Sequence, residues 1–278
     1  MTKLLSTTNH DRDVVDLTYV YPVISRRAGG VSLGINLNPN NACNWACVYC
    51  QVPNLSRGVP PATDLDLLEQ ELDEFLKKLI YGDYMIEHVP EECRALKDLA
   101  ISGNGEPTTC PNFAEVVALI VRLKDKYKLD VPLRLITNGS SVHKGPVQDG
   151  LKLMSKHQGE VWFKVDTLGE SETLALNGVK LSPAWQLAQL EKVSLVCPTW
   201  LQTCVLTEQS ESAGFMGNYL AWLQQALAKG LKIHGVLLYG LARPSLQAGG
   251  DSLRSPEQTW MMNFAQKIES LGLDVKVS

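Results

Sequence analysis

The sequence predicts an α/β protein whose parallel sheet is built from six units, each a strand followed by a helix. Three observations support this fold class. Short runs rich in branched and aromatic residues alternate with helical patterns from about residue 31 to the end of the chain. There is no internal repeat, and no linker is long enough to separate two domains. The pattern alone does not distinguish an open doubly wound sheet from a partial (βα)6 barrel.

Local patterns in the sequence define the individual elements. Six runs favour strands because they are rich in branched and aromatic residues; they cover residues 31–37, 99–102, 133–138, 161–166, 200–206 and 232–238. Six segments carry apolar residues at helical spacing; they cover residues 64–80, 111–127, 145–156, 183–193, 216–228 and 256–270. Thr63 or Asp64 can cap the first of these helices, and Ser255 can cap the last. Right-handed crossovers would then make the strands parallel.

The chain divides into an N-terminal extension, residues 1–30, and a core domain, residues 31–278. Two connections within the core are irregular. Residues 81–97 form an acidic insertion before the second strand. Residues 240–255 are rich in Gly, Ser and Pro and exceed the usual length of roughly 2–6 residues. Loops of this kind often cover active sites, so we expect residues 240–255 to form a mobile cover.

The composition is that of a soluble globular protein, with 45% hydrophobic and 20% charged residues. Twenty-six basic and 30 acidic residues give a net charge of −4, without a run of like charges. This balance disfavours a large non-specific surface for nucleic acid. No apolar run approaches the roughly 20 residues that cross a bilayer, and the first residues lack the apolar core of a signal peptide. We therefore expect a cytoplasmic protein without a membrane partner.

Three of the seven cysteines form a cluster, and the other four are scattered. Cys43, Cys47 and Cys50 have the spacing C-x3-C-x2-C. An odd number of cysteines without a secretory signal argues against a full set of disulfides. Three thiolates on a compact loop can hold three corners of an iron–sulfur cube and leave one iron open, as a catalytic site requires. The alternatives are a zinc knuckle, for which no fourth ligand lies nearby, and a buried turn.

The segment CNWACVYC, residues 43–50, resembles the cluster-binding loop of radical S-adenosylmethionine (radical SAM) enzymes. SGNGEPT, residues 102–108, ends the second predicted strand and is similar to the GGEP motif of that superfamily. ITNG, residues 136–139, and FKVDT, residues 163–167, end the third and fourth strands, where members often contact the cofactor. CVYCQ, SGNGEPT and the later LARPS are most similar to the wyosine-synthase-like branch. The resemblance implies a partial (βα)6 TIM-type barrel with a C-terminal helix.

The resemblance also implies cofactors and site residues. It implies a [4Fe–4S] cluster bound by Cys43, Cys47 and Cys50 at the C-terminal mouth of the barrel, with S-adenosylmethionine chelating the open iron. The glycines after the second strand would let the backbone approach the cofactor closely. The implied S-adenosylmethionine-binding residues are Tyr49, Gly103, Asn104, Gly105, Glu106, Pro107, Asn138, Lys164 and Asp166.

The fourth strand supports a polar site without reference to any family. Val161, Phe163 and Val165 alternate with Trp162, Lys164 and Asp166, so the two charged residues share the inner face of the barrel. Charges buried there are costly unless they pair with each other or hold a polar ligand. Both alternatives remain open. In the long loop, Arg243 is placed to meet an anionic group of the substrate or to lie in solvent.

The implied activity is reductive cleavage of S-adenosylmethionine to a 5′-deoxyadenosyl radical, which abstracts a hydrogen atom from an unidentified substrate. A low-potential electron donor of the flavodoxin or ferredoxin type is the expected partner. Three substrate classes compete, namely a small metabolite, a tRNA base and a glycyl residue of a partner enzyme, and the acidic balance disfavours the tRNA base. The non-enzymatic alternative is a metal-binding redox sensor or scaffold, which would need neither the glycine-rich turn nor the inward charges.

Overall fold

The computed structural model describes residues 4–6, 15–25 and 29–278. Its main sheet has eight strands, and a two-stranded ribbon lies beside it. The strands of the sheet are β1 (Val20–Ser25), β2 (Gly30–Ile35), β5 (Leu96–Ile101), β6 (Leu133–Thr137), β7 (Gly159–Lys164), β8 (Thr199–Cys204), β9 (Ile233–Tyr239) and β10 (Asp274–Val277). The ribbon consists of β3 (Ala42–Cys43) and β4 (Ser56–Arg57).

Helices connect the parallel strands. They are α1 (Leu65–Tyr81), α2 (Tyr84–His88), α3 (Phe113–Lys126), α4 (Gly145–Lys156), α5 (Glu170–Asn177), α6 (Pro183–Ser194), α7 (Thr207–Glu211), α8 (Phe215–Ala228) and α9 (Gln258–Glu269). Short 3-10 turns cover Glu91–Cys93, Pro107–Thr109 and Gly250–Ser252. Within the described ranges, none of the helices combines the length and apolar character that crossing a bilayer requires.

The sheet follows the order of the chain, β1-β2-β5-β6-β7-β8-β9-β10. β1 pairs with β2 antiparallel, and every later neighbour pairs parallel. Apolar residues on alternate strand positions, such as Leu33, Leu99 and Leu135, join the helices in one hydrophobic core. The other face, which we call the inner face, carries polar residues such as Asp98 and Lys164. This arrangement is the predicted partial barrel, so the fold class is confirmed.

Each predicted strand and helix overlaps an observed one, but the sequence did not predict β1, β3, β4, β10, α2, α5 and α7. β1 lies within the segment assigned to the extension and contains Pro22, which lacks a backbone donor and disfavours a strand. Its place at the edge of the sheet makes this proline tolerable. β10 is short and mostly exposed, and follows the last predicted helix. α5 lies between two glycines, Gly169 and Gly178, and has only a weak apolar stripe.

Candidate active site

A cavity of about 1000 Å³ lies on the inner face and opens beside the cysteine loop, which we define as residues 43–50. It brings most of the predicted site residues together, although they come from five separate parts of the chain. Of the predicted residues, Pro107 and Asp166 are outside its lining. Those that line it are Cys43, Cys47, Tyr49, Cys50, Gly103, Asn104, Gly105, Glu106, Asn138, Lys164 and Arg243.

The cysteine loop rests on the C-terminal end of α5. The backbone N–H groups of Ala46 and Val48 donate to carbonyl oxygens at the end of this helix, each at 2.9 Å. Arg57 donates to the carbonyl oxygens of Asn44 and Gly178, both at 2.6 Å. Carbonyls at a helix end have no partner within the helix, so they are available to the loop. The loop that presents the thiols is therefore fixed by main-chain contacts.

Two of the three thiols accept hydrogen bonds. The backbone N–H of Trp45 donates to Cys43 Sγ at 3.4 Å, and the side-chain amide of Asn177 donates to Cys47 Sγ at 3.3 Å. Burial raises the pKa of Cys43 to about 12 and that of Cys47 to about 11. Both groups are neutral thiols at pH 7, and a metal centre would displace their protons on binding.

Three cysteine thiols on one loop are a donor set that an iron–sulfur cube can use. In the part of the chain that the structure describes, no three His, Cys, Asp or Glu side chains are placed to hold one metal ion. In a cube each thiolate binds a different iron, so the three sulfurs need not converge on one point. The thiols share one loop and one cavity, and N–H groups directed at cluster sulfurs are a usual feature of such sites.

The glycines of the turn after β5 are needed for contacts within the protein. A Cβ atom on Gly103 would lie 2.2 Å from Asn36 Oδ1, and one on Gly105 would lie 2.2 Å from the carbonyl oxygen of Ala42. The turn therefore packs directly on the segment that precedes the cysteine loop. Both glycines also line the cavity, so their expected contact with the cofactor stays a prediction beside this packing role.

Glu106 connects the turns that follow β5 and β6. Its side chain is only 3% exposed, and burial raises its pKa. One carboxylate oxygen accepts from Thr108 N–H at 3.0 Å and Thr137 Oγ1 at 2.6 Å, and the other accepts from Asn138 N–H at 2.6 Å. The carboxylate is thus occupied by protein donors, and its expected contact with the cofactor stays a prediction. Pro107 starts the 3-10 turn behind it.

Asn138 links the turn after β6 to the cysteine loop. Its side-chain amide donates to Asn44 Oδ1 at 2.9 Å, and its own oxygen accepts from Ser140 N–H at 3.0 Å. Asn104, in the turn after β5, donates to Asn41 Oδ1 at 2.6 Å. Uncharged amides therefore join both turns to the loop that carries the cysteines.

Lys164 and Asp166 form the ion pair that was one of the two alternatives for the fourth predicted strand. Lys164 Nζ lies 3.4 Å from Asp166 Oδ1, 3.3 Å from Tyr239 Oη and 5.1 Å above the ring of Tyr49. Although burial lowers the pKa of Lys164, the charge of Asp166 raises it overall, so the ammonium is charged. Lys164 lines the cavity and remains available to a polar ligand.

Asp166 lies behind this lining and is 2% exposed. Its carboxylate accepts from the hydroxyl of Tyr49, from Asn177 Nδ2 at 2.9 Å and from Cys204 N–H at 3.0 Å. Any contact of Asp166 with a cofactor would therefore act through Tyr49 or Lys164. Burial also raises the pKa of Tyr49, which keeps its phenol protonated as the donor.

The segment 240–255 lies across the cysteine loop, as expected of a cover. Ser245 Oγ donates to the carbonyl oxygen of Val48 at 2.6 Å, and Leu246 N–H donates to that of Cys50 at 3.0 Å. The side chain of Gln51 donates to the carbonyl oxygen of Arg243 at 2.9 Å. These contacts place Arg243 in the lining of the cavity. That the segment moves stays a prediction.

Sequence reasoning missed Asn177, which contacts Cys47 and Asp166 behind the cavity, and several residues of the cavity wall. Asn177 has no motif; its only signal is its place before Gly178 at a helix end. Asp98, Arg134 and Trp162 line the far end of the cavity. Arg134 could have been found by the period-two argument that identified Lys164, because β6 alternates buried and partly exposed residues.

Curated proteins resemble parts of the chain. A GTPase Obg of Brachyspira hyodysenteriae is 29% identical over 133 residues, 47% of this chain and 17% of that protein. A UPF0026 protein of Methanocaldococcus jannaschii is 30% identical over 152 residues, 54% of this chain and 40% of the relative. The chain thus spans two fifths or less of these relatives. It has no Gly-Lys pair, hence no P-loop. No protein-family profile matches it.

Solved structures match almost the whole chain. A radical SAM methyltransferase from Sphaerobacter thermophilus has a TM-score of 0.63 at 12% identity, covering 93% of this chain and 68% of that one. SuiB of Streptococcus suis bound to S-adenosylmethionine has a TM-score of 0.60 at 13% identity, covering 90% and 51%. TYW1 with a lysine-pyruvate adduct has a TM-score of 0.58 at 15% identity, covering 86% and 73%.

These neighbours show which fold the chain has. The chain has the fold of the radical SAM enzymes, a partial barrel that here carries a cysteine loop beside its cavity. The resemblance first found in residues 43–50 and 102–108 is thereby confirmed at the level of the fold. Among curated proteins, its relatives include the UPF0026 proteins of Helicobacter pylori and Methanocaldococcus jannaschii.

Proposed function

We propose that this chain is a radical SAM enzyme in which Cys43, Cys47 and Cys50 hold a [4Fe–4S] cluster. One observation carries the proposal: within a radical SAM fold, the three thiols line the same cavity as the turn after β5. When bound, the cluster and S-adenosylmethionine supply a 5′-deoxyadenosyl radical that abstracts a hydrogen atom from the substrate. The protein binds and orients both molecules and excludes water from the cavity.

Two groups in the wall fit the polar ends of S-adenosylmethionine. Asn104 Oδ1 is a buried acceptor that has no hydrogen-bond partner within the described residues, and it fits an ammonium donor. Lys164 offers a charged ammonium to a carboxylate or ribose hydroxyl. Tyr49, held by Asp166, presents its ring toward the same part of the cavity and fits the adenine. Arg243 is proposed to contact the substrate.

The cluster needs a partner that delivers single electrons at low potential, and we propose a flavodoxin or ferredoxin. All seven cysteines are free, which fits the reducing environment of the cytoplasm. The substrate remains a small molecule or a macromolecule of unassigned identity. The division of the chain at residue 30 stays a prediction.

Anaerobic reconstitution tests the metal site. We expect about four irons and four sulfides per chain, the stoichiometry of one [4Fe–4S] cluster. The Cys43→Ala/Cys47→Ala/Cys50→Ala variant should lose both. Cys93→Ala is the matched control, because this half-buried thiol lies outside the cavity and its loss should leave the iron content unchanged. Iron retained by the triple variant, or zinc in place of iron, would contradict the proposal.

A further inference from the structure

The cavity extends well beyond the cysteine loop. Its lining includes Ser32, Asp98, Arg134 and Trp162, which we call the deep end. Asp98 precedes Ser102 by four residues, and Arg134 precedes Asn138 by four, so the deep end lies about 13 Å below the turns at the mouth. This distance leaves room for a second ligand below one bound at the mouth. The deep end is therefore where a substrate would lie, a placement that rests on the proposed function.

Arg134 is fixed in the deep end by two carboxylates from neighbouring strands. Its Nη1 donates to Asp98 Oδ2, and its Nε donates to Glu160 Oε1. Both carboxylates have further donors, since Ser32 Oγ donates to Asp98 and Trp162 Nε1 donates to Glu160 at 3.0 Å. The guanidinium carbon lies 4.9 Å from the centre of the Trp162 ring. The position and plane of the guanidinium are thus set by its surroundings.

The bonds from Nε and Nη1 leave the Nη2 edge of the guanidinium without a protein acceptor within the described residues. The Arg134 side chain is 16% exposed and lines the cavity. A guanidinium has five N–H donors in a rigid plane. Arg134 therefore presents a preoriented donor edge that a ligand can use.

The charge of the deep end determines which acceptor fits this edge. Arg134 contributes one positive charge, whereas Asp98 and Glu160 contribute two negative charges beside it. A carboxylate or phosphate that approached Nη2 would meet two carboxylates around the same guanidinium. An uncharged carbonyl oxygen would accept the charge-assisted hydrogen bond without that repulsion.

We infer that the deep end binds an uncharged, amide-type carbonyl group of the substrate, with Arg134 as its specificity-determining donor. Aromatic side chains around it suit a planar group. Trp162 lies against Arg134. Tyr21 lies between the deep end and the mouth: a Cβ atom on Gly34 would be 2.1 Å from its ring, and its hydroxyl lies 2.9 Å from Ser102 Oγ. Both aromatic residues line the cavity. A carbonyl attached to a flat, conjugated group therefore fits both the donor and the walls.

A matched pair of probes tests this inference. Benzamide and benzoate have nearly the same shape and differ in charge. The full-length chain is labelled with 5-fluorotryptophan, and the signal of Trp162 among six tryptophans is assigned with Trp162→Phe. We expect benzamide to shift this signal saturably and benzoate to bind about tenfold more weakly. Equal or tighter binding of benzoate, or no shift of the signal by either probe, overturns the inference.

Two variants separate recognition from folding. Arg134→Lys should weaken the binding of benzamide about tenfold, because an ammonium lacks the planar arrangement of donors that a guanidinium has. Arg122→Lys is the matched control, since Arg122 pairs with Glu69 on the surface, and it should leave both probes unchanged. If Arg134→Lys does not fold, Glu160→Gln serves instead, because its amide oxygen can accept as the carboxylate does. Removal of the Glu160 charge should strengthen the binding of benzoate about tenfold. Unchanged binding of benzoate would overturn the inference.

These measurements use the chain without added cofactor, so they are independent of cluster assembly. If the probes bind as predicted and no cluster forms, the proposed function fails while the deep end remains a binding site. If the cluster forms and benzamide does not bind, the inference about the substrate fails alone.

Discussion

The mouth of the cavity, where the cysteine loop and the turns after β5 and β6 meet, holds its polar groups differently from the deep end. At the mouth, uncharged amides such as Asn44, Asn104 and Asn138 connect turns that follow the strands, and the ion pair of Lys164 and Asp166 lies near them. In the deep end, the charges of Asp98 and Arg134 come from the strands themselves and contact each other directly.

This difference reflects what each end has to hold. Amides and backbone groups fix a loop without adding charge, which suits a site that must accept the negative charge of thiolates. A network of charged side chains orients one donor and excludes ligands of the wrong charge. The polar groups at the mouth therefore position the cysteine loop, and those at the deep end select a ligand by its charge.

The largest expected effect comes from the buried carboxylate at the mouth. Asp166→Ala leaves Lys164 without its partner, and the free energy of unfolding should fall by about 3–5 kcal/mol, measured by urea denaturation. Because Asp166 also holds Tyr49 and Asn177, iron retained after anaerobic reconstitution should fall as well.

Asp98→Ala provides the comparison at the deep end. It removes a partner of Arg134 and should lower stability by about 3 kcal/mol, yet leave the iron content unchanged, because no residue of the cysteine loop contacts Asp98 within the described structure. Asp149→Ala, in an exposed pair with Lys152, is the control and should change stability by less than about 1 kcal/mol. If Asp98→Ala loses iron as Asp166→Ala does, the two ends are not independent.

A smaller loss of stability is expected where the turn after β5 meets the segment that precedes the cysteine loop. Gly105→Ala places a Cβ atom against the carbonyl oxygen of Ala42, and we expect a cost of about 1–3 kcal/mol with a parallel loss of iron. Gly217→Ala is the control, because a Cβ there meets nothing within 4 Å in α8; it should be neutral or stabilising. Normal stability and iron content in Gly105→Ala would show that the contact is not needed.

The smallest effect concerns the sulfur of Cys47. Asn177→Ala removes the amide donor to this sulfur, and fewer donors to a cluster sulfur lower its reduction potential. A redox titration followed by electron paramagnetic resonance should show a shift to more negative potential. Asn218→Ala, on the exposed side of α8, should leave the potential unchanged. An unchanged potential in Asn177→Ala would mean that the contact is only structural.

The sequence predicted the mouth better than the deep end for physical reasons. Residues that follow parallel strands must meet at one edge of the sheet, so the motifs at 43–50, 102–108 and 136–139 could be placed together from strand order alone. The packing contacts of the glycines could not be predicted, since they depend on which backbone approaches them. Gly105 faces Ala42, which only the folded chain shows.

Other features gave weak signals. α5, which supports the cysteine loop, has little amphipathic character because two of its three buried residues, Thr173 and Asn177, are polar, while Leu174 is exposed. β1 contains a proline that is tolerable only at an edge, and edges are not visible in a sequence. Arg134 lies in the interior of a strand, where a single polar residue marks the inner face but does not show whether a cavity reaches it.

Formation of 5′-deoxyadenosine tests the proposed activity most directly. The reconstituted chain is mixed anaerobically with S-adenosylmethionine and dithionite, and the product is quantified by chromatography in parallel with the Cys47→Ala and Cys93→Ala variants. We predict 5′-deoxyadenosine and methionine from the wild type and from Cys93→Ala, and neither from Cys47→Ala. A fully loaded cluster that releases no 5′-deoxyadenosine, or equal release by Cys47→Ala, would contradict the assignment as a radical SAM enzyme.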